Sequence, residues 1–278
     1  DVTNLSLEEK ETPDNLNEKV YSCKFWGLGA DGTVGANKNS VKIIGNHTDL
    51  YAQAYFDYDS KKSGGLTVSH LRFGKHKIRS PYLVEKADFV ACHKPSYLWT
   101  YNMVQDVVSG GIFLLNCPWK PEEVEKHLPK QVKRFIYEHH IQLYVIDGVK
   151  IGQETGMGTT RINTILQAAF FKLTNILPQD EVTRLLKEAV KATYGKKGDE
   201  VVQKNYAAID AGMEGVQKVE PNEGWVSEES DNLFGEKVKG ENEEQEDYVN
   251  NIQRAVNAFE GNKLPVSVFV PYADGHAP

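Results

Sequence analysis

A run of glycines near the start of the chain is the strongest chemical signal in the sequence. Gly27, Gly29 and Gly32 follow a strand-like segment and open a helix-like one, which satisfies the spacing G-x-G-x-x-G. Glycines here allow a tight turn and let a phosphate approach the backbone, where the free N–H groups of the helix start attract it. The run therefore predicts a phosphate site, with a purely structural turn as the alternative. It is not a Walker A loop, because no G-K-[ST] closes it.

Two side chains inside this loop have a second possible role. The carboxylate of Asp31 would repel a phosphate, so we expect it instead to cap the following helix. Thr33 can share that capping role. A helix cap without any ligand contact remains the open alternative for Asp31.

A lysine pair follows the second predicted strand. Asp57 and Asp59 stand at the end of that strand, and Lys61 and Lys62 come directly after it. In a doubly wound sheet this position lies on the same edge as the glycine loop, where dinucleotide folds bind the ribose. The two lysines could hold a second phosphate there, and an exposed turn explains them equally well.

A second glycine-rich helix start lies in the carboxyl-terminal half. Gly156 and Gly158 precede Arg161 and Asn163, which open a helix-like run. The guanidinium could bind an anion and the amide a polar head group. Ordinary helix capping is the simpler interpretation.

Strand-like and helix-like segments alternate through most of the chain. We predict five or six strands, among YSCKFWGLG, LYAQAYFDYD, LTVSHLRFG, ADFVACH, GIFLLNC and IQLYVID. Predicted helices include TVGANKNSVKIIGN, SYLWTYNMVQDVV, PKQVKRFIYEHH and three more, the last over residues 199–219. This alternation predicts an α/β fold with a Rossmann-like, doubly wound, mostly parallel sheet and carboxyl-terminal helices.

The composition excludes several classes of protein. With 40% hydrophobic and 26% charged residues, the chain is neither fully disordered nor a disulfide-dense scaffold. No apolar run reaches the roughly 18 residues of a membrane span, and no signal peptide is recognisable, so we expect a cytoplasmic protein. The three cysteines form no CxxC pair, which predicts reduced thiols that cannot hold an iron–sulfur cluster unaided.

The charge is distributed unevenly along the chain. The net charge is −7 overall, −4 in residues 1–20, −9 in residues 220–250 and zero in residues 251–278, which leaves +6 for residues 21–219. A basic core between acidic segments predicts an anionic ligand on the core. Excess lysine that only keeps the surface soluble is the alternative.

Several longer stretches resemble one family. They are GLGADGTVGANKNSVKIIG, YFDYDSKKSGGLTVSHLRFGK, ADFVACH, HLPKQVKRFI, RINTILQAAFFKLTNILP and ATYGKKGDEVV. Together, over about residues 20–220, they resemble the gamma domain of pyruvate:ferredoxin (flavodoxin) oxidoreductases. LPVSVFVPYADG resembles the opening of the small segment that follows this domain in the long single-chain enzymes. The resemblance implies a linker arm at 1–20, the gamma domain at 21–219, an acidic linker at 220–262 and the truncated start of the next segment at 263–278.

The resemblance also implies a function. Enzymes of this family oxidatively decarboxylate pyruvate with thiamine diphosphate, pass electrons through 4Fe–4S clusters to ferredoxin or flavodoxin, and form acetyl-CoA. Those cofactors belong to other domains, whereas the gamma domain binds coenzyme A. The implied coenzyme A contacts are Ala30, Asp31, Gly32, Thr33, Val34, Lys62, Asn163 and Asn205. An inactive internal fragment is then expected, with no catalytic or metal-binding residue of its own; its partners are the other domains, and neither nucleic acid nor a membrane.

Two other functions stay open at this point. The glycine run alone would also suit an independent NAD(P)-binding dehydrogenase domain, although the chain leaves no room for a separate substrate domain. A structural or interaction module of a larger complex is the other alternative.

Overall fold

A single mixed sheet of seven strands organises the part of the chain that the structure describes. The structure is a computed structural model and describes residues 20–58, 64–226, 229, 231 and 237–278. The strands are β1 (Tyr21–Leu28), β2 (Tyr51–Tyr58), β3 (Leu66–Gly74), β4 (Ala87–Cys92), β5 (Val107–Asn116), β6 (Gln142–Ile146) and β7 (Gln217–Val219). Their order is β2-β3-β1-β4-β5-β6-β7, and only β3 and β7 run against the other five. The predicted α/β fold with a mostly parallel sheet is therefore confirmed.

The central strands are buried on both faces. β4 (ADFVAC) is almost fully buried, because parallel strands inside such a sheet are covered by other elements on either side. From β1 the chain first builds β2 and β3 on one side and then returns to β4 on the other. The carboxyl ends of β1 and β4 thus form the topological switch point, where ligands bind in open α/β sheets.

Eight α-helices accompany the sheet in the described residues. They are α1 (Thr33–His47), α2 (Lys130–Glu138), α3 (Gly148–Glu154), α4 (Asn163–Thr174), α5 (Gln179–Tyr194), α6 (Asp199–Glu214), α7 (Glu243–Tyr248) and α8 (Arg254–Asn257). In α5, Val182, Leu185, Leu186 and Val190 are buried, so one apolar stripe with helical spacing holds it to the core.

The two faces of the sheet have separate cores. On one face, α1, α4, α5 and α6 pack on β1, β3 and β4, with Phe170 of α4 at the centre: its ring centre lies 5.2 Å from those of both Phe25 and Phe89. On the opposite face, Trp26, Val90 and other residues of the strands pack against α2 and short 3-10 turns.

Three local expectations differ from the structure. SYLWTYNMVQDVV is not one helix but two 3-10 turns followed by the start of β5, because both turns bury adjacent apolar residues instead of one helical stripe. The last predicted helix ends at Glu214, and β7 follows it as a seventh strand. Part of the predicted acidic linker is helical over residues 243–257.

None of the helices in the described ranges is both long and apolar enough to cross a membrane.

Candidate functional site

The glycine loop connects β1 to α1 at the switch point. Gly29 exchanges two backbone hydrogen bonds with the β2–β3 turn: its N–H donates to Gly65 O (2.6 Å), and its carbonyl accepts from Gly64 N (3.3 Å). Ala30 has a φ of +76° and is exposed. The loop is therefore fixed by backbone contacts, and its outer surface is free for a ligand.

The backbone conformation of the loop favours a glycine at position 32. Gly32 precedes the first residue of α1 with a φ of +87°, a conformation that favours glycine. A Cβ atom at this position would lie 2.9 Å from Cγ of Asn163, at the start of α4. Two predicted site residues, Gly32 and Asn163, are thus in direct contact. The first N–H groups of α1, including that of Val34, have no carbonyl partner within the helix.

Asp31 fixes the loop just before α1 through its carboxylate, although the N-cap residue itself is Gly32. Oδ1 of Asp31 accepts a hydrogen bond from Thr33 N (2.7 Å) and its Oδ2 accepts one from Leu28 N (2.9 Å). Burial opposes ionisation of this carboxyl, but His93 and the hydrogen bonds from Thr33 outweigh it and lower its pKa. Both oxygens are engaged with the loop itself, so the side chain does not point at a ligand.

Thr33 is buried, and its side chain faces away from the outer surface of the loop. Its hydroxyl lies 2.7 Å from Nδ1 of His93, and its methyl and hydroxyl groups pack over Gly27, where a Cβ would approach within 2.8 Å. Of the five predicted loop contacts, Asp31 and Thr33 therefore contribute their side chains to the structure of the loop.

His93 is a residue of the site that sequence reasoning missed. It follows β4 directly, is 8% exposed, and its Nδ1 lies 3.9 Å from Oδ2 of Asp31. Its N–H donates to Trp26 O (2.9 Å), and its carbonyl accepts from Nδ2 of Asn116 (2.9 Å). No motif marks His93, and only the pairing of β1 with β4 places it under the loop.

A chain of hydrogen bonds continues from His93 across the edge of the sheet. Oδ1 of Asn116, at the end of β5, accepts from Gly148 N at the start of α3 (2.9 Å). The ends of β1, β4 and β5 and the start of α3 are thereby held in register. This network holds the glycine loop in a fixed conformation before any ligand binds.

A groove on the α1 side of the loop, hereafter the α1 groove, has a volume of about 410 Å³. It runs from Gly32 and Asn163 along α1 towards Tyr194 at the end of α5. Lys38 and Lys42 are exposed on its α1 wall. A helix start and two ammonium groups beside one groove can bind an anionic ligand.

The remaining predicted site residues lie elsewhere. Asn205, in α6, is 2% exposed, donates to Val201 O (2.8 Å), and is not among the described residues that form the α1 groove. Its side chain therefore serves the packing of α6 in this conformation. Lys61, Lys62 and Asp59 lie outside the described residues; the turn residues beside them, Gly64 and Gly65, contact the glycine loop.

The three cysteines are buried and unpaired. Burial raises the pKa of Cys92 to about 12 and that of Cys117 to about 11, and it also raises the pKa of Cys23 well above the usual value of a thiol. In the described part of the chain no three His, Cys, Asp or Glu side chains are placed to hold a metal ion.

The fold and the site define a doubly wound α/β domain with a glycine-rich helix start at its switch point. Residues 22–215 match the family described as pyruvate ferredoxin/flavodoxin oxidoreductase. The chain belongs to this family, so the predicted resemblance is confirmed. Residues 236–278 match a second family that is described only as a domain of unknown function.

An individual relative supports the same family. The pyruvate:ferredoxin oxidoreductase of Moorella thermoacetica is 49% identical over 271 residues, which are 98% of this chain and 22% of the relative. The chain thus spans about a fifth of the length of this curated relative.

Solved structures share the fold at low identity. Subunit PORC of the Thermotoga maritima pyruvate oxidoreductase has a TM-score of 0.58 at 20% identity, over 73% of this chain and all of that one. The 2-oxoglutarate:ferredoxin oxidoreductase of Magnetococcus marinus, solved with 2-oxoglutarate, coenzyme A and succinyl-CoA bound, has a TM-score of 0.54 at 18% identity, over 74% of this chain and 33% of that one.

Proposed function

We propose that this chain is the coenzyme A-binding domain of a larger pyruvate:ferredoxin (flavodoxin) oxidoreductase. The single observation that carries the proposal is the contact between Gly32 and Asn163 at the start of α1. Gly32 has no side chain and stands directly before the first N–H groups of α1, so a phosphate can approach the backbone there beside the Asn163 amide. Family membership and the coenzyme A in the Magnetococcus marinus structure support the same ligand.

Each predicted residue takes a defined part in this proposal. The backbone of Ala30, Gly32 and Val34 faces the diphosphate of coenzyme A, and the amide of Asn163 donates to it. Asp31 and Thr33 fix the loop through the hydrogen bonds described above. Lys62 is proposed to hold the 3′-phosphate. Asn205 would contact the ligand only after a local rearrangement of α6, because it is buried here.

The rest of the reaction is assigned to other parts of the longer enzyme. Thiamine diphosphate and 4Fe–4S clusters supply decarboxylation and electron transfer in those domains, and ferredoxin or flavodoxin accepts the electrons. This division agrees with the 22% of the Moorella relative that the chain covers. It also agrees with three buried, unpaired thiols in this chain.

Calorimetric titration of the 278-residue chain with coenzyme A and, separately, with NADPH tests the proposal. Coenzyme A should bind, more tightly at low salt because ions screen the contacts to its phosphates, and NADPH should bind far more weakly. Tighter binding of NADPH would favour a dehydrogenase domain. Loss of binding for both ligands would favour a structural or interaction module.

A further inference from the structure

Another cleft opens beside the β2–β3 turn that hydrogen-bonds to the glycine loop. This β2 cleft has a volume of about 400 Å³ and lies between the ends of β2 and β3 and the carboxyl-terminal helical segment. Its walls are formed by Asp57, Tyr58, Leu66, Val68, Tyr101, Val256, Asn257 and Phe259. The volume falls within the usual range for small-molecule sites, and most of the walls are apolar or aromatic.

The β2 cleft adjoins the loop through backbone pairing. Leu66 in its wall pairs with Leu28, the last residue of β1, and the turn before Leu66 hydrogen-bonds to Gly29. Tyr58, the last residue of β2, pairs with Thr67 and so lies beside Leu66 in the same wall. The carboxyl end of the second strand is where dinucleotide folds bind the ribose. A ligand with its diphosphate on the loop can therefore extend into this cleft.

Aromatic rings make up one side of the β2 cleft. The ring centre of Tyr101 lies 5.4 Å from that of Trp26 and 5.8 Å from that of Phe259, and the Trp26 and Phe259 centres are 6.1 Å apart. Trp26 is buried beneath them, whereas Phe259 is 57% exposed. Such a cluster offers an open ring face, which a heteroaromatic base can cover by stacking.

Phe259 is held in place by its backbone. It has a φ of +63°, which is uncommon for a residue other than glycine, and its N–H donates to Val256 O (3.1 Å). The next residue, Glu260, donates to Ala255 O (2.8 Å). These bonds close the end of α8 and direct the Phe259 ring against Tyr101 and Trp26.

We infer that the β2 cleft binds the adenine ring of coenzyme A, stacked on Phe259. Asp57 and Asn257 supply the carboxylate and amide groups that can pair with the amino group and ring nitrogens of the base. This inference rests on the proposed function and extends it. It assigns part of the ligand site to the carboxyl-terminal segment, within the residues that match the second family.

The test measures three ligands by calorimetry on the 278-residue chain: coenzyme A, 3′,5′-ADP and 4′-phosphopantetheine. In Phe259→Ala, the affinity for the first two should fall about tenfold, the range expected for one lost base-stacking contact, and the affinity for 4′-phosphopantetheine should not change. Phe259→Tyr keeps the ring and should restore binding. Phe269→Ala, an exposed aromatic change in the same segment but outside the cleft, serves as the matched control.

Each outcome decides a separate point. A change of less than twofold in Phe259→Ala, or an equal loss in Phe269→Ala or for 4′-phosphopantetheine, overturns the adenine assignment while the proposed function stands. If the unaltered chain binds no coenzyme A, the proposed function fails. In that case, binding of 3′,5′-ADP that depends on Phe259 still supports an adenine site. If 3′,5′-ADP does not bind, or binds equally well without Phe259, the adenine site is overturned as well. Circular dichroism confirms that each variant is folded.

Discussion

At the scale of single residues, the buried bond between Thr33 and His93 fixes the glycine loop. Replacing Thr33 by Val keeps the shape of the side chain but removes the hydroxyl that pairs with Nδ1 of His93. The ring nitrogen is then left buried without its partner, so we expect the free energy of unfolding to fall by about 1–2 kcal/mol. Urea unfolding measures this loss. Thr33→Ser keeps the hydroxyl and is the control; equal stability of Thr33→Val and the unaltered chain would contradict the role given to this bond.

A second residue-scale prediction concerns Lys62. A lysine is a single charge on a flexible stem, which suits a phosphate that is not held by two parallel bonds. Lys62→Ala should lower the affinity for coenzyme A about tenfold and hardly change the affinity for dephospho-CoA. Lys61→Ala should lower the affinity for coenzyme A by less. Titration of both ligands at one low salt concentration checks this. Equal losses for the two ligands would show that Lys62 does not contact the 3′-phosphate.

His70 gives a prediction about pH. Burial, with Lys24 and Arg72 nearby, lowers its pKa to about 4, so the folded protein keeps this ring neutral. In the unfolded chain a histidine takes up a proton near pH 6.5. The unfolded state therefore binds more protons between about pH 6.5 and 4, and stability should fall as the pH decreases through this range.

The variant His70→Asn isolates this contribution. Its side-chain oxygen can replace the ring nitrogen that accepts from Val84 N. Urea unfolding at pH 7.5 and pH 5 should show a smaller loss of stability for the variant than for the unaltered chain. The same loss in both proteins would mean that His70 is not the source of the pH dependence.

At the scale of elements, the start of α1 depends on Gly32. Gly32→Val places a β-branched side chain at a φ of +87° and against Asn163, so coenzyme A binding should be abolished. Gly45→Ala is the matched control in the same helix, because its Cβ would make only one ordinary contact, 4.0 Å from Cβ of Ala52. We expect the control to bind normally and to gain up to about 1 kcal/mol in stability. Unchanged affinity in a folded Gly32→Val protein would contradict the phosphate site.

The secondary-structure elements also show which features of the fold a local sequence pattern can predict. Hydrophobic runs predict β1 to β6, and the glycine spacing predicts the turn at Gly32 before α1. Both signals are local in the sequence. The three-residue β7 carries no such signal, and it forms only because it pairs with β6. SYLWTYNMVQDVV was predicted as a helix from its composition, but tertiary packing divides it into two turns. His93 and the β2 cleft depend on which strands are neighbours and on where residues 254–259 fold back, which no local pattern encodes.

At the scale of the whole molecule, we predict that this chain alone does not carry out the redox steps of the reaction. A four-cysteine cluster needs four thiolates that can approach one another. This chain has three cysteines, each buried and with a raised pKa that keeps it protonated. The isolated chain should therefore take up no iron–sulfur cluster during reconstitution with iron and sulfide, and it should show no coenzyme A-dependent oxidation of pyruvate with methyl viologen as acceptor.

The control is the same chain titrated with coenzyme A. The ligand should still bind, since the glycine loop, His93 and Asn116 form their network without other domains. Pyruvate oxidation by the purified chain would show that it contains the reaction centre, and the assignment of this chain as a binding domain would then be wrong.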